Sequence, residues 1–207
     1  SGAAQKGVPE TIQKLYETMR AKAFTTHTYR HTTMGFIEDI EDMPNQYEYS
    51  KTFFSRWYRP ENTAVIIAGD VDPDQVIPLV EKYWGDWAPG SGEKIAIPQE
   101  PAPKGAAYAH VPWETATAPW VVVAFRGPAF SETGKESAAM DLLMSVNFGN
   151  SSDFYRRLVE QEQKIDQVFA ASPNNADPEL IYVFARVKNV DDVKYVRDEI
   201  LRTFATA

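Results

Sequence analysis

The chain reads as an α+β protein made of two-layer α/β rolls, each a mixed, largely antiparallel sheet with helices packed on one face. Three observations predict this. Short apolar, β-branched runs bounded by turn residues alternate with stretches whose apolar residues recur every three or four positions. Strands come in pairs with helices between them. A Pro- and Gly-rich run over 89–105 exceeds the usual intradomain loop and divides the elements into two groups. The expected organisation is 1–88 as the C-terminal part of a first roll, 89–105 as a linker, and 106–207 as a second, non-catalytic roll.

The first helix is predicted from Pro9 to about Phe24. Pro9 suits the first helical position, and Ile12, Tyr16, Met19 and Ala23 make one apolar face. The Thr-rich segment TTHTYRHTTMGF has no helical stripe and is expected to be extended or looped. A second helix starts near Asp42 and Pro44, sets Phe53 on Trp57 and Phe54 on Tyr58, and ends at Pro60. TAVIIA, Thr63 to Ala68, has the composition of a buried strand. The following helix carries a broad stripe of Val76, Ile77, Val80, Tyr83, Trp84 and Trp87.

Beyond the linker, strands are expected at 106–111 and 119–125, and helices at 135–148 and 152–162. Further strands fit 165–171 and 180–188, where Ile181, Val183, Ala185 and Val187 share a face. The last helix has Asn189 as its cap and turns Val193, Val196, Ile200 and Phe204 inward.

With 207 residues, 43% of them hydrophobic, the chain is long enough for one large or two small domains with a core. It has no cysteine, which excludes disulfides and thiolate metal sites. A net charge of −8 argues against binding a phosphate backbone, so nucleic acid is not an expected partner. No apolar run approaches the roughly 20 residues that span a bilayer, so no membrane span is expected. The polar lead SGAAQKGVPE, without an initiator Met, reads as the start of an excerpt from a longer protein.

Two patterns resemble metal sites. Asp70, Asp72, Asp74 and Glu81 fill four positions of a calcium loop, but Gln75 stands where the sharp turn requires Gly, and a strand rather than a helix enters it. The same residues are accounted for by a helix start: Asp72 as cap, Pro73 at the first position, and Asp74 at the positive end of the helix dipole. His27 and His31 are four apart, but no Glu follows His27 and the segment is not helical by pattern. His110 has no carboxylate or His partner nearby in sequence. A hydrolytic zinc takes three protein ligands, and three cannot be assembled here. No nucleophile elbow or phosphate-cradling loop occurs, and paired acids such as Glu38 with Asp39 or Asp191 with Asp192 read as solvated helix ends. No catalytic residue, metal ligand or cofactor of the chain's own is predicted.

Taken together, HTYRHTTMGFIEDI and FFSRWYRPENTAVIIAGDVDPDQVIPLVEKYWGDW resemble the pitrilysin/insulinase family of zinc metallopeptidases. The resemblance rests on His27, Tyr29, Gly35, Asp39 and Ile40, then on the turn of Trp57, Tyr58, Pro60 and Asn62. It continues through Gly69, Asp70 and Val71 to Tyr83, Trp84 and Gly85. FRGPAF and GNSSDFYRRLVEQEQKIDQVFAAS extend it over nearly the whole chain. It implies a metallopeptidase LuxS/MPP-like fold, a clamshell of paired rolls around a chamber, and a peptide that adds as a strand beside zinc.

The family's His-x-x-Glu-His motif lies upstream and does not occur here, so the resemblance implies a C-terminal, inactive segment. Zinc is then expected in a missing catalytic part or partner subunit, and peptide as the substrate. The family's substrate-holding Arg falls on Val159 and its Tyr near Asp166 or Gln167, so Lys164 and Gln167 are the candidate substrate contacts. The expected role is chamber wall and peptide-binding surface. The alternatives are an inactive companion subunit or assembly protein of the same fold, and a calcium module. Self-association of the fragment is expected, and a bacterial periplasm or cell envelope location follows from family analogy alone.

Overall fold

The computed structural model describes residues 10–90 and 95–207. In chain order the elements are helix α1 (Glu10–Ala23), a tight helical turn at Thr28–Arg30, α2 (Ile37–Glu41), α3 (Tyr47–Trp57) and α4 (Pro73–Trp84). Strand β1 (Trp120–Arg126), α5 (Glu136–Phe148) and α6 (Asp153–Tyr155) follow, α6 running on into a wide π-type turn over Arg156–Gln161. Strands β2 (Ile165–Ala171) and β3 (Leu180–Val187) and helix α7 (Val193–Thr206) complete the chain. The chain forms two compact units. One joins the segment up to Thr32 with Gln99–Ala207, and the other is Thr33–Pro98.

In the first unit β3 lies between β1 and β2 in a three-stranded, wholly antiparallel sheet. Val123 faces Val183 across one pair, and Val168 faces Ala185 across the other. Ile181, Val183, Ala185 and Val187 share the face that α5 and α7 cover, as their alternation predicts. Met144 and Phe148 from α5 and Val196 and Ile200 from α7 fill that layer. Phe148 meets Phe154 and Phe204 edge-on or tilted at 5.1 and 5.0 Å.

The helix expected over 152–162 begins as predicted, with the Ser152 hydroxyl accepting from the Tyr155 amide at 3.0 Å. It then widens, because Leu158 turns fully into the core while Arg157 reaches α7. The Arg157 guanidinium binds the buried Glu199 carboxylate and donates to the Tyr195 hydroxyl at 3.0 Å. The turn ends on Gln163, which adopts a left-handed backbone at φ 53°, so that the Lys164 amide returns to the Leu158 carbonyl at 2.9 Å. A bulge follows between Ile165 and Gln167.

Two expectations are corrected. The segments 63–68 and 106–111 are not strands, because no described residue offers either a hydrogen-bonded neighbour. Helix α1 falls in the same compact unit as the second half of the chain. Its tie is long-range, with the Tyr16 ring edge-on to Tyr182 of β3 at 5.6 Å, a contact no local pattern reports. Pro9, read as the first helical residue, lies outside the described residues.

The second unit has helices but no core: among the described residues of Thr33–Pro98 none is buried. On α3 the predicted pairs form, Phe53 beside Trp57 at 6.3 Å and Phe54 stacked on Tyr58 at 4.6 Å. The Asn62 amide holds the following turn by donating to the Trp57 carbonyl at 3.0 Å. Asp72 caps α4 as read from the sequence. One of its oxygens accepts from the Asp74 amide and the other from the Gln75 side chain, both at 3.0 Å, and Pro73 takes the first position.

Two stability measurements check this packing. In urea unfolding of the chain, Ile200→Ala is expected to lose about 2–5 kcal/mol, because Ile200 is fully enclosed. Gln163→Gly is expected to gain about 0.5–1 kcal/mol, since glycine adopts the left-handed backbone without the Cβ penalty but gives back part of that in unfolded-chain entropy.

Candidate functional site

The sheet face opposite α5 and α7 is built from the alternate residues of the same strands. An aromatic series crosses it. Trp120 of β1 meets Phe169 of β2 at 6.2 Å, Phe169 stacks on Phe184 of β3 at 4.7 Å, and Phe184 meets Tyr182 at 5.4 Å. Helix α1 covers the Tyr182 end, where burial pushes the Tyr182 phenol up to about 12. The other end is open, and Phe169 remains 40% exposed. There Arg186 grips Asp166 with two hydrogen bonds of 2.8 Å each, and its guanidinium lies 6.0 Å from the Trp120 ring centre.

Gln167 is exposed beside this group, on β2 across from Arg186. Strand β2 is an edge, with β3 on only one side. An edge strand next to exposed aromatic rings can hold an extended peptide by its backbone while the rings take its side chains.

Lys164 is placed differently. Its ammonium lies 2.6 Å from Asp192 and 5.3 Å from the Tyr195 ring centre, at the start of α7. The hydrogen bond that it donates to Asp192 raises its pKa. The structure therefore does not bring Lys164 and Gln167 together. The signal that would have pointed to the aromatic face is the strand LIYVFARV, which is apolar at even as well as odd positions.

A second polar cluster fastens the segment after α1. His27 is buried. Its Nδ1 accepts from the Tyr29 amide at 3.0 Å, so Nε2 carries the proton and donates to Asp177 at 3.2 Å. The Nδ1–H of His31 donates to the Thr32 carbonyl at 2.8 Å. Arg20 and Glu179, 9% and 2% exposed at the side chain, pair at 3.0 Å. Arg20 also donates to the Tyr16 hydroxyl at 2.8 Å and the Tyr29 carbonyl at 2.6 Å. Glu100 accepts from the amides of Thr25, Thr26 and His27, each at 2.8 Å, and from the Thr25 hydroxyl. Desolvation raises the Glu100 pKa, but these four donors outweigh it and hold the carboxyl down to about 2.

The peptidase M16 inactive domain model matches residues 46–207. The chain belongs to this family. It is 29% identical over 176 residues to the zinc protease PqqE of Helicobacter pylori, covering 84% of this chain and 38% of that protein. A crystal structure of a protease from Helicobacter pylori superposes with a TM-score of 0.80 at 26% identity, over 94% of this chain and 47% of that one. A peptidase M16 inactive domain from Pseudomonas fluorescens has the same fold, with a TM-score of 0.73 at 17% identity, over 96% of this chain and 48% of that one. The chain thus spans less than half the length of these relatives.

The described residues of this M16 inactive domain do not offer zinc a ligand set. Both ring nitrogens of His27 are committed within the fold, His31 turns to its own backbone, and the calcium-like aspartate Asp72 caps a helix. Among the described residues no three His, Asp or Glu side chains converge on a metal-sized space. Val159 packs against the core, and Asp166 is taken by Arg186.

The Glu100 clamp has a measurable pH signature. Its folded pKa, about 2, lies below its ordinary value of 4.5, so its contribution is fully present above pH 4.5 and is lost as pH falls towards 2. In urea unfolding across pH 2–7, Glu100→Gln is expected to be less stable than the parent at neutral pH, the gap closing over that acid window.

Proposed function

We propose that this chain is the non-catalytic segment of a zinc endopeptidase of the pitrilysin/insulinase type, and that its open sheet face forms chamber wall and peptide-binding surface. The observation that carries this is the joint occurrence of the M16 inactive-domain match with an exposed edge strand beside an aromatic face. Zinc and the water it activates belong to a catalytic domain or partner subunit outside these residues. That part supplies the chemistry when zinc is bound. The present residues supply recognition: β2 offers backbone groups to an extended peptide, Gln167 and Phe169 contact it, and the Asp166–Arg186 pair frames the open end. Lys164, the other candidate contact, is paired with Asp192 just before the start of β2.

Two measurements test the reading. The reading frame preceding Ser1 is expected to encode a His-x-x-Glu-His string; if instead that motif is carried by a separate gene, the chain is an inactive companion subunit. Binding of an extended, unlabelled peptide library, followed by Trp120 fluorescence, is expected to weaken about tenfold on Phe169→Ala, with a smaller loss on Gln167→Ala. Unchanged binding in both variants would remove the face from the proposal.

A further inference from the structure

The chain leaves the first unit after Thr32 and returns to it at Gln99. The connector that follows the return, 99–118, has few ties. Pro101 to His110 are all exposed. Among the described residues of 99–118, the only polar contacts with a distant part of the chain are those of the Glu100 carboxylate, since the Thr117 hydroxyl reaches no farther than the Ala118 carbonyl. The next tie is at Pro119, whose carbonyl accepts from the Val187 amide at 2.8 Å.

The group that Glu100 binds is oriented by its own neighbours. Phe24 and His27 are both buried, one on each side of Thr25 and Thr26. The Phe24 ring lies 4.3 Å from the Arg126 guanidinium, and the His27 ring is held by the Tyr29 amide and by Asp177. With both flanks fixed, the successive amides of Thr25, Thr26 and His27 point to one place, an arrangement of main-chain donors that suits an anion. One oxygen of Glu100 takes the Thr25 amide and hydroxyl, and the other takes the Thr26 and His27 amides, all at 2.8 Å. Helix α1 ends just before this point, and the C-terminal end of a helix is the negative end of its dipole, so the carboxylate is held there by these donors and not by the helix.

We infer that the amides of Thr25–His27 form a preformed carboxylate site, and that Glu100 in this site is a latch that pins the returning connector to the segment by which the chain leaves the first unit. With the latch closed, the departing and returning stretches lie within a hydrogen bond of each other, and the free connector begins after Glu100. With it open, the free stretch of chain runs on to Pro119, and the ends of the excursion 33–98 are less closely held. The inference is independent of the peptidase reading: peptide binding at β2 can fail while the latch stands, and the reverse.

The chain has no cysteine, so paired nitroxide labels attach only where cysteines are introduced. Ala102→Cys labels the connector, and Leu142→Cys labels an exposed position of α5 in the same unit. The distance distribution between the two labels is expected to be narrow with Glu100 in place and to broaden at least about twofold on Glu100→Ala. Amide hydrogen exchange at neutral pH reads the site itself. In Glu100→Ala the amides of Thr25, Thr26 and His27 are expected to exchange at least about tenfold faster, while Leu180–Val187 of β3 stay protected. Acetate at roughly 0.1 M, well above the millimolar effective concentration of a short tether, is expected to slow those three amides again and to leave the label distribution broad, because a free carboxylate fills the site without carrying the connector. Sodium chloride at the same ionic strength is expected to do neither. A distribution that stays narrow in Glu100→Ala overturns the latch, and exchange that is unchanged at 25–27 overturns the site. Loss of protection in β3 as well overturns both, since Glu100 would then hold the whole unit. No slowing by acetate, or equal slowing by chloride, overturns the assignment of a preformed carboxylate site.

Discussion

The first unit depends on one strand that has no exposed residue. Leu180 to Val187 is paired along both edges and apolar on both faces, so it is stable only where two strands and two layers meet on it. Its odd-numbered residues require the helical layer of α5 and α7. Its even-numbered residues require the aromatic series and the end of α1. Once β3 is placed, the register of β1 and β2 follows, because a slip of one residue would turn Val123 and Val168 from the core to the opposite face. The bulge after Ile165 absorbs the one mismatch, and it does so beside the open end of the aromatic face.

The polar groups of this unit hold the apolar layers in a single arrangement. Arg20 and Glu179 are both withdrawn from water, which costs several kcal/mol per ion before their attraction is counted. The cost is offset by the further hydrogen bonds that each group makes. Arg20 donates to Tyr16 and Tyr29 and lies over both rings, and Glu179 accepts from Asn175 and the Leu180 amide. The pair therefore fixes where α1 sits on the hairpin more than it adds to net stability. Glu199 plays the same part on the other face, where Arg157 binds it from the π-type turn and Arg202 from its own helix at 2.9 Å.

Much of this was legible in the sequence because the signals are local. Alternation in LIYVFARV placed the core face of β3, the Asp72–Pro73 pair marked the start of α4, and the four-residue aromatic spacing of α3 gave its stacked pairs. What escaped depends on partners distant in sequence. The strand character of TAVIIA was read from composition, but a strand exists only when a neighbour completes its hydrogen bonds, and composition does not say where that neighbour is. The contacts of α1 were not legible for the same reason, since Tyr16, Arg20 and Phe24 find partners more than 100 residues away. The π-type turn was hidden because Leu158 and Arg157 fit an ordinary helix equally well until Glu199 is located in space. The candidate pair Lys164 and Gln167 was separated by a residue-level detail, the bulge and the strand start, which no periodicity records.

The two units differ in what they leave open at their surfaces. In the first unit several side chains capable of acid–base work are engaged: His27 by Tyr29 and Asp177, Glu100 by three amides, Glu199 and Glu179 by arginines. A group fixed in this way by protein donors has little left to offer a substrate, and its ionisation serves folding. What the unit leaves unengaged is of another kind, an edge strand and the exposed rim of an aromatic series, which recognise extended chain without transferring protons. In the second unit the apolar residues are as abundant but none is buried, so its helices carry faces without a layer to meet them. The described surface of these residues is thus marked by an open sheet edge, exposed rings and unburied apolar helix faces.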